Sequence, residues 1–313
     1  MGTTGVEVSV VGIGGWQMGG ADPPDGLGHG WGDVDDDHSV RIIHREEELG
    51  VNLMNTSDTY GLGGHSERVI GRALRGRRDR WVVCTKVGHI KTPGRAGITR
   101  DFSAPQVRKG IDASLERLQT GYIDFYQLHG DPEDHQMADT LAELQRLQEA
   151  GKIRFYGIST GNLQKLQLME EAGGFHVAQI GFSLLNRAEE AAIDWCHQRD
   201  IAVLIRSPLA WGAAFSRYSR ATLPEFEAGD LRRRRDREKM LAQHEEGRRF
   251  SFLWEGAGRS PAQAALRFVL DKPGVTAAIP GTRRIEHLED NVRAAAAPPL
   301  TAEEIAAVHR VEG

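Results

Sequence analysis

A phenol, an ammonium, an imidazole and a carboxamide stand at or just beyond the carboxyl ends of three apolar runs, as Tyr60, Lys86, His129 and Asn55. The runs are VNLMN (51–55), which leads on to Tyr60, WVVCTK (81–86) and YIDFYQLH (122–129). As consecutive strands of one parallel sheet they would bring all four side chains to a single rim. Such a set suits a carbonyl that receives hydride: negative charge builds on its oxygen, and a proton donor must lie within hydrogen-bond reach. A phenol with its ordinary pKa near about 10 gives up a proton slowly at neutral pH. A neighbouring ammonium lowers that pKa by favouring phenolate, and a neutral imidazole can donate to the same oxygen and orient the substrate. Asn55 stands where a carboxylate would have suited the lysine.

The strand pattern recurs eight times: VSVVGI (8–13), VNLMN, WVVCTK, YIDFYQL, IRFYGIS (153–159), HVAQIGF (176–182), AVLIRS (202–207) and VTAAIP (275–280). Helical patterns lie between and after them at 37–49, 65–75, 104–119, 137–150, 162–172, 188–199, 260–271 and 284–296. In 107–118, Val107, Ile111, Leu115 and Leu118 recur at three- and four-residue spacing, one face of a helix. Ser103 and Ser260, each with a proline close behind, read as helix caps, and Gly121 and Gly151 as terminators. Eight β units each followed by an α unit predict an α/β fold, a (β/α)8 TIM barrel in one domain over 1–313; a doubly wound sheet is the alternative. Three segments break the alternation: a Gly/Pro-rich loop at 19–35, a loop at 87–103, and an insertion at 208–258 with a charged helix near 229–247. All three follow strands, so they belong on the rim where barrel enzymes keep their chemistry. There they enclose a substrate or cofactor, or else merely decorate the surface.

The totals exclude several classes. Of 313 residues, 40% are hydrophobic and 27% charged, an ordinary soluble composition, and the net charge of −5 offers no basic excess for nucleic acid. The basic run Arg232 to Arg235 lies among Asp230, Asp236 and Glu238 and reads as a solvated helix face. Two cysteines make no disulfide framework and no metal spacing, and Cys84, inside an apolar run, reads as a buried thiol. The twelve histidines contain no HExxH array. No basic start with an apolar core marks a signal peptide and no 18-residue apolar stretch spans a membrane, so cytoplasm is the expectation.

The pieces GVNLMNTSDTYG, CTKVG, DFYQLH, AGKIRFYGIS, RSPLAWG and IPGTRRIEHLEDN, in this order and spacing, resemble the aldo-keto reductases from about residue 5 to 297. The resemblance implies a (β/α)8 barrel with long βα loops and an extra helix near the C-terminal rim, which binds extended NADPH without a Rossmann unit. In keeping with this, GIGGWQMGG (12–20) fails G-x-G-x-x-G at Gln17. By the resemblance, Tyr60, Lys86 and His129 match the catalytic tyrosine, lysine and histidine, and Asn55 falls on the aspartate. Ser159 and Gln179, with Thr160 in place of the usual asparagine, match the residues that hold the nicotinamide carboxamide. Arg206 takes the position that stacks on the nicotinamide, and Ser207, Pro208, Leu209 and Gly212 the loop over the pyrophosphate. Gly281, Thr282, Arg283, Arg284, His287, Asp290 and Asn291 lie in the adenosine-phosphate segment, and Trp16 and Ile279 complete the cofactor set. Gly281 and His287 replace strong cationic positions near the 2′-phosphate, a charge that Arg283 or Arg284 can supply. NADP is therefore expected ahead of NAD, with a small carbonyl or alcohol as substrate. The hairpin strand that usually closes the barrel bottom is missing, which implies a late start codon or a leaky floor.

Asn55 keeps an acceptor for Lys86 but removes an attraction of roughly 4 kcal/mol for charges about 4 Å apart. Two consequences compete: an unneutralised lysine pushes the tyrosine pKa down further, or a poorly anchored one is displaced or loses its proton. Slowed catalysis is the expectation, and a cofactor-binding but redox-idle subunit is the competing function. A lyase with a Schiff base on Lys86 is a third. Asp58 and Glu67 can be taken for a carboxylate pair, but Glu67 follows Ser66 at a helix start, where capping and the helix dipole suffice to explain it. Trp16, Trp31 and Trp211 line the substrate pocket or simply pack. Arg206 and the polar loop 89–103 hint at a polyol, sugar or acid.

Overall fold

The computed structural model describes residues 1–21, 30–91, 97–215, 218–227 and 229–311. Parts of the three rim loops (22–29, 92–96, 216–217 and 228) lie outside the described residues. Eight parallel strands form one sheet: β1 (Ile13–Gly14), β2 (Leu53–Asn55), β3 (Val82–Val87), β4 (Ile123–Leu128), β5 (Ile153–Ile158), β6 (Val177–Gly181), β7 (Ala202–Arg206) and β8 (Ala277–Ala278). They pair in chain order, with Asn55 beside Cys84, Lys86 beside Gln127 and Gly181 beside Arg206. The ring closes where Val11 bridges Ala278 in parallel and the Gly12 amide donates to the Ala278 carbonyl at 2.8 Å.

Both seam strands are shorter than the expected 8–13 and 275–280. At residue 9 side chains take over the ladder: the Ser9 amide donates to Asn52 Oδ1 at 2.7 Å and the Asn52 amide to Ser9 Oγ at 3.2 Å. At the other strand Pro280 has no N–H to give, and only its carbonyl continues the seam, accepting from the Gly14 amide at 3.0 Å.

Alternation along each strand divides the molecule into two cores. Met54, Val83, Val87, Tyr126, Leu128, Ala178, Ile180, Val203 and Ile205 face the surrounding helices. Leu53, Val82, Cys84, Phe125, Val177, Ala202, Leu204 and Ala277 fill the barrel, and Val6 joins them, flanked by Met1 and Val8. Residues 1–8 thus cover the floor of the barrel. Two positions further along the same inward rows, side chains turn polar: Asn55, Lys86, Gln127, Gln179 and Arg206. One periodicity therefore builds an apolar plug below and a layer of amides and cations above.

The helices follow their patterns, with local corrections. Ser260 forms a capping box with Gln263 at the start of the helix Pro261–Leu270. Ser103 makes no side-chain cap; its amide instead donates to Asp101 Oδ1. The helix Ala104–Leu118 ends on Gln119 at φ 54°, not on Gly121, whereas Gly151 does turn left-handed after Met137–Glu149. Within the loop 87–103, His89–Ile90 and Thr99–Arg100 pair as an antiparallel hairpin. The charged helix runs over Arg237–Arg248, because Asp236 caps it by accepting from the Glu238 and Lys239 amides. Arg232 to Arg235 fall outside it, the first three in a short 3-10 turn Leu231–Arg234; Arg233 and Arg234 are exposed as expected, whereas Arg232 and Arg235 are half-buried. Arg232 pairs with Asp230 at 2.6 Å and lies over the Trp31 and Phe226 rings, while Arg235 lies over Trp211. No helix among the described residues is long and apolar enough to cross a membrane.

Candidate functional site

β2 ends at Asn55, and the next five residues return the chain over the barrel mouth. The Thr56 amide donates to the Cys84 carbonyl at 2.8 Å and the Asp58 amide to Lys86 O at 3.4 Å, so β2 stays tied to β3 beyond its end. A turn closes with Tyr60 N on Ser57 O at 3.2 Å, and Ser66 N then caps Tyr60 O at 3.0 Å. Gly61 must follow: its φ is 79°, and a Cβ there would overlap the Gly19 carbonyl. Ser66 braces the turn from behind, accepting from Thr56 Oγ1 at 2.8 Å and donating to Gly15 O at 2.7 Å.

This turn lowers the phenol onto Lys86. The lysine is fully buried and spends its three donors on Asn55 Oδ1 at 3.0 Å, Thr56 O at 2.7 Å and Tyr60 Oη at 3.2 Å. All three acceptors are uncharged. These three bonds anchor the side chain in place. Burial brings the Lys86 ammonium down to about 7, against weaker raising influences from Cys84 and Asp58, so charged and uncharged forms coexist near neutrality. Burial also pushes the Tyr60 phenol well above its ordinary value, opposed by Arg206. Lys86 holds the phenol oxygen from below, and Tyr60 lines the cleft. Asn55 Oδ1 also accepts from Gln179 Nε2 at 2.7 Å, and Gln179 Oε1 accepts from Ser159 Oγ at 3.3 Å. A chain of amides and hydroxyls thus runs from Lys86 to β5.

His129 stands beside the phenol, ring centroids 5.8 Å apart, and stacks on His89 at 4.0 Å. Burial, with Lys86, His89 and Arg206 nearby, holds its imidazole well below the usual value, so the ring is neutral. Its Nδ1 lies 2.9 Å from Ser57 Oγ, which also reaches Asp58 Oδ1 at 3.1 Å. Burial, seconded by Glu67, pushes the Asp58 carboxyl up to about 8. Glu67 does lie in the first turn of the helix His65–Ala73, but its carboxylate is turned inward. It is fully buried, accepting from Thr85 Oγ1 at 2.5 Å and pairing with Arg117 at 2.6 Å, and the helix start belongs to Gly64 instead of Ser66.

An open cleft of about 1190 Å³ runs from this cluster across the seam. Tyr60, His129, Asn55, Trp16, Ser159, Gln179, Arg206, Ser207, Pro208, Leu209 and Gly212 line one part of it. Ile279, Gly281, Thr282, Arg283, Arg284, His287, Asp290 and Asn291 line the other. Lys86 lies under the floor. Thr160 is turned away, accepting from the Asn162 amide at 3.0 Å at the start of the helix Leu163–Glu171. Arg206 lies flat against Gly181 and reaches Glu189 at 3.4 Å. Ser207, Ala210 and Trp211 all have positive φ (55°, 44° and 62°), a concentration of strain typical of loops that grip ligands. The segment 281–284 is tied to the first helix: His38 Nε2 meets Arg283 O at 2.9 Å, and Arg283 donates to Asp33 O at 2.9 Å. On the other flank the three tryptophans close together, Trp16 against Trp31 at 5.5 Å and Trp31 stacked on Trp211 at 5.3 Å. Trp16 also stacks on Tyr60 at 5.8 Å.

The aldo/keto reductase family model matches residues 10–312. The chain belongs to the aldo/keto reductase family. Among curated relatives, the "Uncharacterized oxidoreductase YqkF" of Bacillus subtilis (strain 168) is 27% identical over 308 residues, 98% of this chain and 94% of that protein. Among solved structures, the glycerol dehydrogenase AKR11B4 from Gluconobacter oxydans superposes with a TM-score of 0.83 at 30% identity, covering 98% of this chain and 92% of that one. An aldo-keto reductase from Klebsiella pneumoniae in complex with NADPH gives 0.72 at 28% identity, covering 97% and 91%. For this aldo/keto reductase, sequence reasoning passed over four residues of the site. Ser57 and Gln17 carry no pattern that marks them. Asp58 was noticed only as half of a carboxylate pair, and Arg235 was placed on a solvated helix. The interleaving of arginines with acids concealed Arg235; its spacing from Trp31 and Trp211 is visible only in three dimensions.

Proposed function

We propose that this aldo/keto reductase reduces an aldehyde or ketone with NADPH, or oxidises the corresponding alcohol with NADP, and that Tyr60 is the proton donor. The supporting observation is the Tyr60 hydroxyl, gripped from below by Lys86 at 3.2 Å, facing the cleft beside a neutral His129. The cleft suits the dinucleotide. Gln17 lines it with a buried Oε1 that has no hydrogen-bond partner among the described residues, and Gly281 leaves room that a Cβ would fill against that amide. Arg206, Arg283 and Arg284 supply positive charge along the same path, which suits a ligand with phosphates. Ser159 and Gln179 would hold the carboxamide, the strained loop 207–212 the pyrophosphate, and Arg283 or Arg284 the 2′-phosphate. When bound, the nicotinamide supplies hydride to the carbonyl carbon.

The chain's own residues do the rest. Tyr60 donates its hydrogen to the carbonyl oxygen as charge develops there, Lys86 steadies the phenolate left behind, and Trp16, Trp31 and Trp211 wall off water. Decay of NADPH absorbance with a panel of aldehydes and ketones tests this. Tyr60→Phe should lower kcat by roughly 100-fold or more while NADPH still quenches protein fluorescence. Retained turnover in that variant would remove Tyr60 from the reaction. One observation favours a second reading, a cofactor-binding subunit of impaired redox activity: no acceptor of Lys86 carries charge. Cofactor binding without single-turnover reduction of any carbonyl would select it.

A further inference from the structure

Ser57 Oγ has one hydrogen and two lone pairs, and its neighbours ask for more than one answer. The Thr59 amide donates to it at 3.2 Å, and Thr59 Oγ1 lies 3.1 Å away. On its other sides are Asp58 Oδ1 at 3.1 Å and His129 Nδ1 at 2.9 Å. A neutral imidazole has a single N–H, so whatever Nδ1 does at Ser57 fixes what Nε2 offers elsewhere. With Asp58 ionised, the charged carboxylate takes the hydroxyl hydrogen, since charge-assisted bonds are the stronger ones. Nδ1 must then carry the ring hydrogen and donate to Oγ, and Nε2 is left as a bare acceptor. With Asp58 protonated, its O–H donates to Oγ, the hydroxyl turns to Nδ1, and the ring hydrogen sits on Nε2. Both arrangements fill the hydrogen and the two lone pairs of Oγ.

We propose that Asp58 is a positioning residue which, through Ser57, decides which nitrogen of His129 carries the ring hydrogen, and thereby whether the site receives a carbonyl or an alcohol. A carbonyl oxygen needs the N–H form at Nε2; an alcohol O–H needs the acceptor form. Going from one to the other releases one proton, that of Asp58, to solvent, while the imidazole keeps its single hydrogen and exchanges it from Nε2 to Nδ1 through water. The Asp58 carboxyl, pushed up to about 8 chiefly by burial, makes the change accessible near physiological pH. Other charged groups bear on the pair from each side. Glu67 and Arg117 face Asp58 from two helices and Lys86 from β3, while Lys86, His89, Arg206 and Lys91 act on His129. The effect on turnover rests on the proposed carbonyl chemistry; the tautomer itself does not.

The test is 15N NMR of the histidine side chains in the full-length protein from pH 6 to 10, with His129 assigned by comparison with His129→Asn. The Nδ1 resonance should move from the unprotonated to the protonated position with a midpoint near 8, and Asp58→Asn should hold one tautomer across the range. Ser57→Ala should abolish the single step even if Asp58→Asn folds poorly. An unchanged tautomer from pH 6 to 10, or the same step in Asp58→Asn, overturns the proposal. In parallel, kcat/KM for carbonyl reduction should fall about 10-fold per pH unit above the midpoint, with alcohol oxidation favoured over the same interval. Any decline that survives in Asp58→Asn with a midpoint near 7 belongs to Lys86. A tautomer step without turnover of any carbonyl would leave the relay standing and remove the reductase reading.

Discussion

Restoring a carboxylate at residue 55 tests how far the charge of Lys86 limits the reaction. In the native chain the ammonium, lowered to about 7, is surrounded by dipoles only. At pH 8 only ~10% of it would be protonated, and at pH 6 ~90%. An aspartate oxygen at the position of Asn55 Oδ1 would lie 3.0 Å from the nitrogen. At an effective dielectric of about 20 that contact is worth roughly 5 kcal/mol of attraction before the new carboxylate's own burial cost is subtracted. If only ~2 kcal/mol survives, the lysine pKa still rises by more than about one unit. Asn55→Asp should therefore accelerate carbonyl reduction about 10-fold at pH 8 and less than about 2-fold at pH 6. NADPH consumption measured at saturating cofactor across that range gives the ratio directly. A gain of equal size at both ends, or none at pH 8, would refute the idea that Asn55 acts through the protonation of Lys86.

Other perturbations separate support from chemistry. Gly61→Ala forces a side chain into a left-handed residue against the Gly19 carbonyl. It should cost ~1–3 kcal/mol in urea unfolding and lower kcat by shifting Tyr60. Arg117→Met strands the fully buried Glu67, and a loss of ~3–5 kcal/mol is expected; a change under ~1 kcal/mol would mean that water reaches the carboxylate. Ser260→Ala removes both the capping box and the bond to Asp290 at 2.7 Å. Stability should drop by ~1 kcal/mol, with weaker NADP binding and little change in kcat.

The barrel was legible because its message is repeated. Eight apolar runs separated by amphipathic segments admit few arrangements, and alternation within VNLMN, WVVCTK and YIDFYQLH was enough to set Asn55, Lys86 and the turn to Tyr60 on one rim. Ends were harder. β1 and β8 lost residues to side-chain bonds at Ser9 and Asn52 and to the missing N–H of Pro280, competitions that hydrophobicity does not register. Gln119 took the left-handed position that a glycine two residues later advertised. The burial of Glu67 was hidden for a related reason. Local rules place an acid near a helix start as a capping group, whereas Arg117, fifty residues away, decides that Glu67 goes inside. The fate of Lys86 depended on enclosure by Thr56 O and Tyr60, a quantity that only the folded chain possesses.

The ring is thinnest where it shuts. Two residues on either strand, with a few bonds around Val11, Gly12 and Ala278, hold the first stave to the last. Gly14 and Gly281 flank that joint and both open onto the cleft. A dinucleotide laid along the groove would therefore act as a hoop, fastening staves that the backbone itself joins lightly. Amide exchange at Gly12, Gly14 and Ala278 should slow on cofactor binding more than exchange at the β4–β5 pairing opposite, so that occupancy of the groove and durability of the barrel rise and fall together.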